Sequence, residues 1–204
     1  FKIELGNEKI RAVKRNRRSN DFTVLNHQLF AAKGVVGGRF TVSCKRSDIS
    51  GMRARGVRGE KNLITDVPGV TVGHVTLYEG DDVRTGVTCI KPHGGNLFTD
   101  KVMAASHVFN GYGKTAGLVQ INELGTIETP IVLTNTLGVG TAFTAVVKYM
   151  MAQNPEIGGA WGTVNPVVGE CNDGTLNDIR GLHVTEQHVL DAINVCTDTF
   201  AEGA

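Results

Sequence analysis

The chain has 204 residues, enough for one domain with a substantial core of its own. Hydrophobic residues at 41% and charged residues at 20% exclude a disordered chain, and 26 glycines without a G-X-Y period exclude collagen while calling for many tight turns and close backbone approaches. The net charge of +1 hides a division: residues 1–61 carry 15 Lys+Arg against 5 Asp+Glu, residues 62–204 carry 6 against 15, as expected of two parts with different jobs.

Residues 1–50 show no periodicity long enough to define an element. Lys14-Arg15-Asn16-Arg17-Arg18 is a basic run, and Phe40–Cys44 has the residues of a short strand. A basic segment with Phe22 and Phe30 is open to nucleic-acid contact, but a solvated leader accounts for it as well. The expectation is a basic leader over 1–61 outside the core, with no nucleic-acid partner.

From Asn62 the texture changes. Leu63–His74 reads as strand, Pro-Gly turn, strand, and Gly86–Ile90 as a further strand. Lys101–Phe109 reads as a short helix closed by Asn110-Gly111, Ala116–Ile121 as a strand, and Ile127 with Ile131–Thr134 as another. Ala142, Val146, Tyr149 and Met150 fall on one face of a helix that ends before Pro155. Pro166-Val167-Val168 is extended, and Asn172-Asp173-Gly174 signals a turn. Thr185 is the N-cap of a last helix with Val189, Leu190, Ile193 and Cys196 on its apolar side. Strands come first and helices late, which points to α+β. The uncharged run Thr129–Val147 is long enough to span a membrane, but its threonines, glycines, Asn135 and Pro130 favour a buried strand, a polar turn and a helix.

Cys44, Cys89, Cys171 and Cys196 form no CxxC pair and have no histidine cluster beside them, which argues against structural zinc and for free thiols in a cytoplasmic protein. Walker A, Rossmann, HExxH and GxSxG patterns are absent. His74, His107, His183 and His188 read as structural or surface residues. Two places have the pattern of a site. An apolar strand leads into Gly169-Glu170-Cys171-Asn172, where a carboxylate at a strand end can take a substrate ammonium, or where a turn is simply solvated. Thr134-Asn135-Thr136 sits between a strand and a helix N-terminus, where backbone N–H groups can hold an oxyanion or the triplet can act as a cap.

Five blocks now carry a resemblance: NLITDVPGVTVGHVTL (62–77), RTGVT (84–88), NGYGKTAGL (110–118), PIVLTNTLGVG (130–140) and NPVVGECNDGTLNDIRGLHVT (165–185). In collinear order over 62–204 they resemble the DmpA family of self-processing L-aminopeptidase/D-esterases and β-peptidyl aminopeptidases. The resemblance implies an αββα sandwich of the N-terminal-nucleophile type, incomplete at its C-terminal end. It implies hydrolysis of the N-terminal residue from short peptides, amides or esters, without metal or organic cofactor, in an assembly of several copies. It assigns Glu170 to the substrate's amino group and Asn172 to the same pocket, and Asn135 of the polar triplet is a third substrate-binding candidate. Asn172 stands where some members have Tyr, so a phenol-assisted step is in question here. It puts the nucleophilic Ser and an oxyanion Asn beyond Ala204, so that no catalytic residue is expected within this chain, which alone would be inactive. Residues 1–51 match nothing in the family, and Met52 resembles a natural beginning. An acyltransferase of the related ornithine-acetyltransferase type and a non-catalytic relic or binding module are the alternatives. A truncated sandwich would also leave the apolar strand faces around Val87, Val119, Val132 and Val167 partly uncovered.

Overall fold

Residues 83–91, 131–134 and 167–170 have buried residues at consecutive positions, so these strands are covered on both faces, and this sets the architecture. In the computed structural model, which describes residues 2–4, 59–108 and 111–204, the strands are β1 Lys2–Glu4, β2 Thr71–Glu79, β3 Val83–Lys91, β4 Val102–Met103, β5 Ala105–His107, β6 Thr126–Ile127, β7 Ile131–Thr134 and β8 Val167–Glu170. The helices are α1 Leu118–Leu124, α2 Val139–Gln153 and α3 Glu186–Asn194. The readings placed on Lys14–Arg18, Phe22, Phe30, Phe40–Cys44 and Met52 lie outside the described residues.

The central sheet has the order β2-β3-β7-β8, antiparallel except for the parallel pair β7–β8, whose connection carries α2. On one face Val87, Cys89, Val132 and Val168 pack with Ala142, Ala145, Val146 and Met150 of α2 and with Val189, Ala192 and Ile193 of α3. On the other, Val72, Ile90, Ile131 and Val167 pack with Val102, Ile121 and Ile127. That second layer holds α1 and the two-stranded β4–β6 ribbon, and β1 pairs with β5 in another ribbon. The class is α+β, as the sequence suggests. The strand faces around Val87, Val132 and Val167 are covered, with these residues 0%, 0% and 3% exposed, while Val119, at 84%, lies on a helix.

Several elements differ from the sequence reading. The helix read over Lys101–Phe109 is replaced in the described residues 101–108 by the strands β4 and β5, and Phe109 lies outside the described residues. Val102 and Ala104 are buried while Met103 and Ala105 are exposed, a period of two rather than 3.6. Ala116–Ile121 is not a strand. Gly117 at φ +89 and Gly125 at φ +66 bracket α1 instead, and Gly125 donates its N–H to Ile121 at 2.9 Å. Leu118 and Ile121, three apart, turn inward. Residues 64–66 form a turn of 3-10 helix because Asp66 accepts from the backbone of Lys61 and Leu63, at 2.8 and 3.0 Å, and so competes with a strand ladder. Ile127 and Ile131 belong to different strands. Between them Pro130 has no N–H, Glu128 is buried and takes Lys101 and the Asn165 N–H, and Thr129 takes the Val167 N–H.

Other elements appear where the sequence points. The run from Thr129 is strand, turn and helix, and among the described residues no helix is long and apolar enough to cross a membrane. Thr185 caps α3 by accepting from His188 N–H at 3.4 Å, and His188 Nδ1 accepts from Thr185 N–H at 3.1 Å, so His188 completes a capping box.

His74 on β2 lies 2.8 Å from Thr88 Oγ1 through Nδ1, with its ring 5.6 Å from Phe200. Burial pushes its pKa below the ordinary 6.5, against a smaller opposing effect of the Ala201 backbone. Below 6.5 the unfolded chain takes up a proton that the folded chain resists. Stability is therefore complete above that pH and is lost as the pH falls through the lower folded value. Thermal melts between pH 7.5 and 5 are expected to show Tm falling toward acid, with a shallower fall in His74→Phe. Equal slopes in the two proteins would remove His74 from the account.

Candidate functional site

The parallel pair β7–β8 brings two strand ends together. Thr134 and Glu170 are register partners at those ends, and the Cys171 N–H continues the ladder by donating to the Thr134 carbonyl at 2.8 Å. The carboxyl ends of adjoining parallel strands are where α/β arrangements collect ligand-binding side chains. Glu170 is half-buried there. Its Oε2 accepts a hydrogen bond from the Thr136 hydroxyl. Its Oε1 faces Gly113, where an added Cβ would come within 3.1 Å of it. A glycine at 113 therefore keeps the space over the carboxylate clear of a side chain. The 15-residue α2 begins just after Thr136, and its N-terminal dipole favours a carboxylate at this end of the sheet.

Asn135 is buried, and both ends of its amide are engaged. Oδ1 accepts from Gly138 N–H at 2.7 Å, and Nδ2 donates to Thr85 Oγ1 at 2.9 Å. It fixes the turn that presents Thr136. Asn172 is exposed, and its Oδ1 accepts from Gly174 N–H at 3.1 Å in an Asx turn. Among the described residues no group of His, Cys, Asp and Glu side chains has the arrangement of a metal centre.

Thr136 as the partner of Glu170, and Gly113 as the residue beside it, do not emerge from local pattern. The available signal is the pairing of two apolar runs, Ile131–Thr134 and Val167–Glu170, that each end on a polar residue. Their parallel register is what places Thr136 beside Glu170.

The family model for Peptidase family S58 matches residues 62–204. The chain belongs to peptidase family S58. The β-peptidyl aminopeptidase BapA of Sphingosinicella microcystinivorans is 38% identical over 178 residues, a match covering 83% of this chain and 44% of that protein. This share is more than residues 52–204 can supply, so the likeness to that relative reaches into residues 1–51, against the expectation that they match nothing in the family. A Pyrococcus horikoshii OT3 protein of known crystal structure is 53% identical with a TM-score of 0.71, over 72% of this chain and 44% of that one. The Ochrobactrum anthropi L-aminopeptidase D-Ala-esterase/amidase, described as a new variant among the Ntn hydrolase fold, is 36% identical with a TM-score of 0.63, over 72% of this chain and 43% of that one. The S58 chain thus spans less than half the length of each of these relatives.

Proposed function

We propose that residues 62–204 form the amine-recognising part of a self-processing S58 aminopeptidase/esterase, which releases the N-terminal residue from short peptides, amides or esters. One observation carries the assignment to this chain: the Glu170 carboxylate, at the joint ends of β7 and β8, is held by Thr136 with Gly113 beside it. A fixed carboxylate with room over it pairs with a substrate ammonium and leaves a blocked amine without its partner. Asn135 supports the turn behind Thr136, and Asn172 borders the same end of the sheet. The nucleophile in this reading is a Ser outside residues 62–204. Assembly of several copies and a cytoplasmic setting, in line with the free thiols of Cys89, Cys171 and Cys196, belong to the same reading.

The test is an assay of the protein made from its whole reading frame, on alanine p-nitroanilide and its N-acetyl derivative. Acetylation is expected to lower kcat/KM about 100-fold or more, because it removes the charge that the carboxylate recognises. Equal turnover of the two substrates would overturn the reading.

A further inference from the structure

The end of the sheet away from Glu170 holds a second chemical feature. β3 runs antiparallel to β7, so Lys91 and His93 lie toward Ile131, whereas Glu170 lies beside Thr134. A cavity of about 340 Å³ opens at the Lys91 end, with Thr71, Lys91, His93, Tyr149 and Cys196 in its wall. Cys196 follows α3, and its position depends on Gly73. A Cβ on Gly73 would fall 2.2 Å from the Ala192 carbonyl oxygen and 3.2 Å from the Cys196 Cα, so only a glycine lets the end of α3 come down onto β2 here. Gly73 is also the direct cross-strand partner of Cys89. Directly opposed residues of an antiparallel pair project to the same face, so the Cys89 side chain rises beneath the end of α3. Cys196 Sγ lies 3.7 Å from the Cys89 carbonyl oxygen and 3.4 Å from that of Ala192. Cys89 is fully buried, Cys196 is half-buried at the cavity wall, and both are free thiols.

We propose that Cys89 and Cys196 are a peroxide-reactive pair: Cys196, at the cavity wall, is oxidised first, and Cys89 beneath it closes a reversible disulfide.

The surroundings divide the two roles. Burial pushes the Cys89 thiol well above the ordinary 9.0. The neighbouring Cys89 thiol holds Cys196 below that value, and Lys91 acts in the same direction against the cost of burial. The thiolate is the nucleophilic form, so the thiol that ionises more readily is also the one that faces the cavity. In the first step the Cys196 sulfur attacks hydrogen peroxide. An S–O bond forms, the O–O bond breaks, and the departing hydroxide takes up a proton to become water. In the second step the Cys89 sulfur attacks the Cys196 sulfenic acid. An S–S bond forms, the S–O bond breaks, and hydroxide leaves with the Cys89 proton as a second water. Two thiols are oxidised by two electrons, and one peroxide is reduced to two waters.

The test is peroxide treatment of the full 204-residue chain at neutral pH, followed by alkylation of remaining thiols, proteolysis and mass mapping. The expected product is a linked pair of peptides containing Cys89 and Cys196. The linked pair weighs two hydrogen atoms less than its two thiol peptides together, and dithiothreitol releases them. Cys171, exposed in the loop after β8, serves as the internal comparison. In Cys89→Ser the reaction should stop at a Cys196 sulfenic acid that dimedone captures. Recovery of Cys196 as an alkylated thiol while Cys171 is oxidised would overturn the proposal. So would an oxidised Cys196 beside a Cys89 recovered as thiol in the wild-type chain. The wild-type map requires no variant to fold.

Discussion

Gly73→Val is expected to destabilise the chain by about 3 kcal/mol, the upper part of the range for overpacking. The cause is steric and cannot be relieved by a side-chain rotation. The atoms a Cβ would meet are the Ala192 carbonyl oxygen at 2.2 Å, the Cys196 nitrogen at 2.9 Å and the Cys196 Cα at 3.2 Å, all backbone. The end of α3 would have to lift from β2, drawing Val189, Ala192 and Ile193 away from a core in which each is 0% exposed. Urea denaturation of the wild type and the variant measures the loss. Gly94→Val is the control, since nothing lies within 4 Å of a Cβ there, and it should stay within about 0.5 kcal/mol of wild type. Equal midpoints for Gly73→Val and wild type would show that α3 is free to shift without cost.

Glu170→Gln, in the protein made from its whole reading frame, is expected to lower kcat/KM on a free-amine substrate on the order of 100-fold, within the cost of about 2–5 kcal/mol for truncating one member of a desolvated charge pair. The amide oxygen of Gln can still accept from Thr136, so the strand end and the turn at Asn135 keep their bond. What is lost is the negative charge, and an ammonium brought against Gly113 would meet a neutral group. N-acetylated substrate, already slow, should respond little to the same substitution. If free-amine and acetylated substrates keep their wild-type ratio, Glu170 is a turn residue and ammonium recognition lies elsewhere.

Legibility from the sequence followed the length and uniformity of each pattern. β3, α2, β8 and α3 were readable because each carries several apolar residues at one period and a clear stop: Pro155 after α2, Thr185 before α3. The short elements between residues 101 and 127 were not. Strands of two or three residues have no period to detect, and Leu118–Leu124 is a single helix of seven residues whose identity depends on glycines at both ends. At the site, Glu170 was legible as a carboxylate at a strand end. Its partner was not, because Thr136 is 34 positions away in sequence and meets it through the parallel register of β7 and β8. The Cys89–Cys196 pair was hidden for the same reason. A spacing of 107 positions resembles no motif, and only the fit of α3 onto Gly73 brings the two together.

The outer edge of β2 bears on how the chain is made. That edge is closed by residues from the far end of the sequence: Val72 bridges Thr197, Thr76 Oγ1 accepts from Ala204 N–H at 2.7 Å, and Lys61 meets Asp198 across 137 positions. β2 and β3, by contrast, are joined by a tight loop at Gly80 and can pair as soon as both have left the ribosome. At about 5–20 residues per second, the segment that closes the edge follows on the order of 10 s later. During that interval a nine-residue strand presents unpaired backbone N–H and C=O groups to any neighbouring chain. The β2–β3 hairpin thus keeps one edge open to strand addition until residues 195–204 come to lie along it.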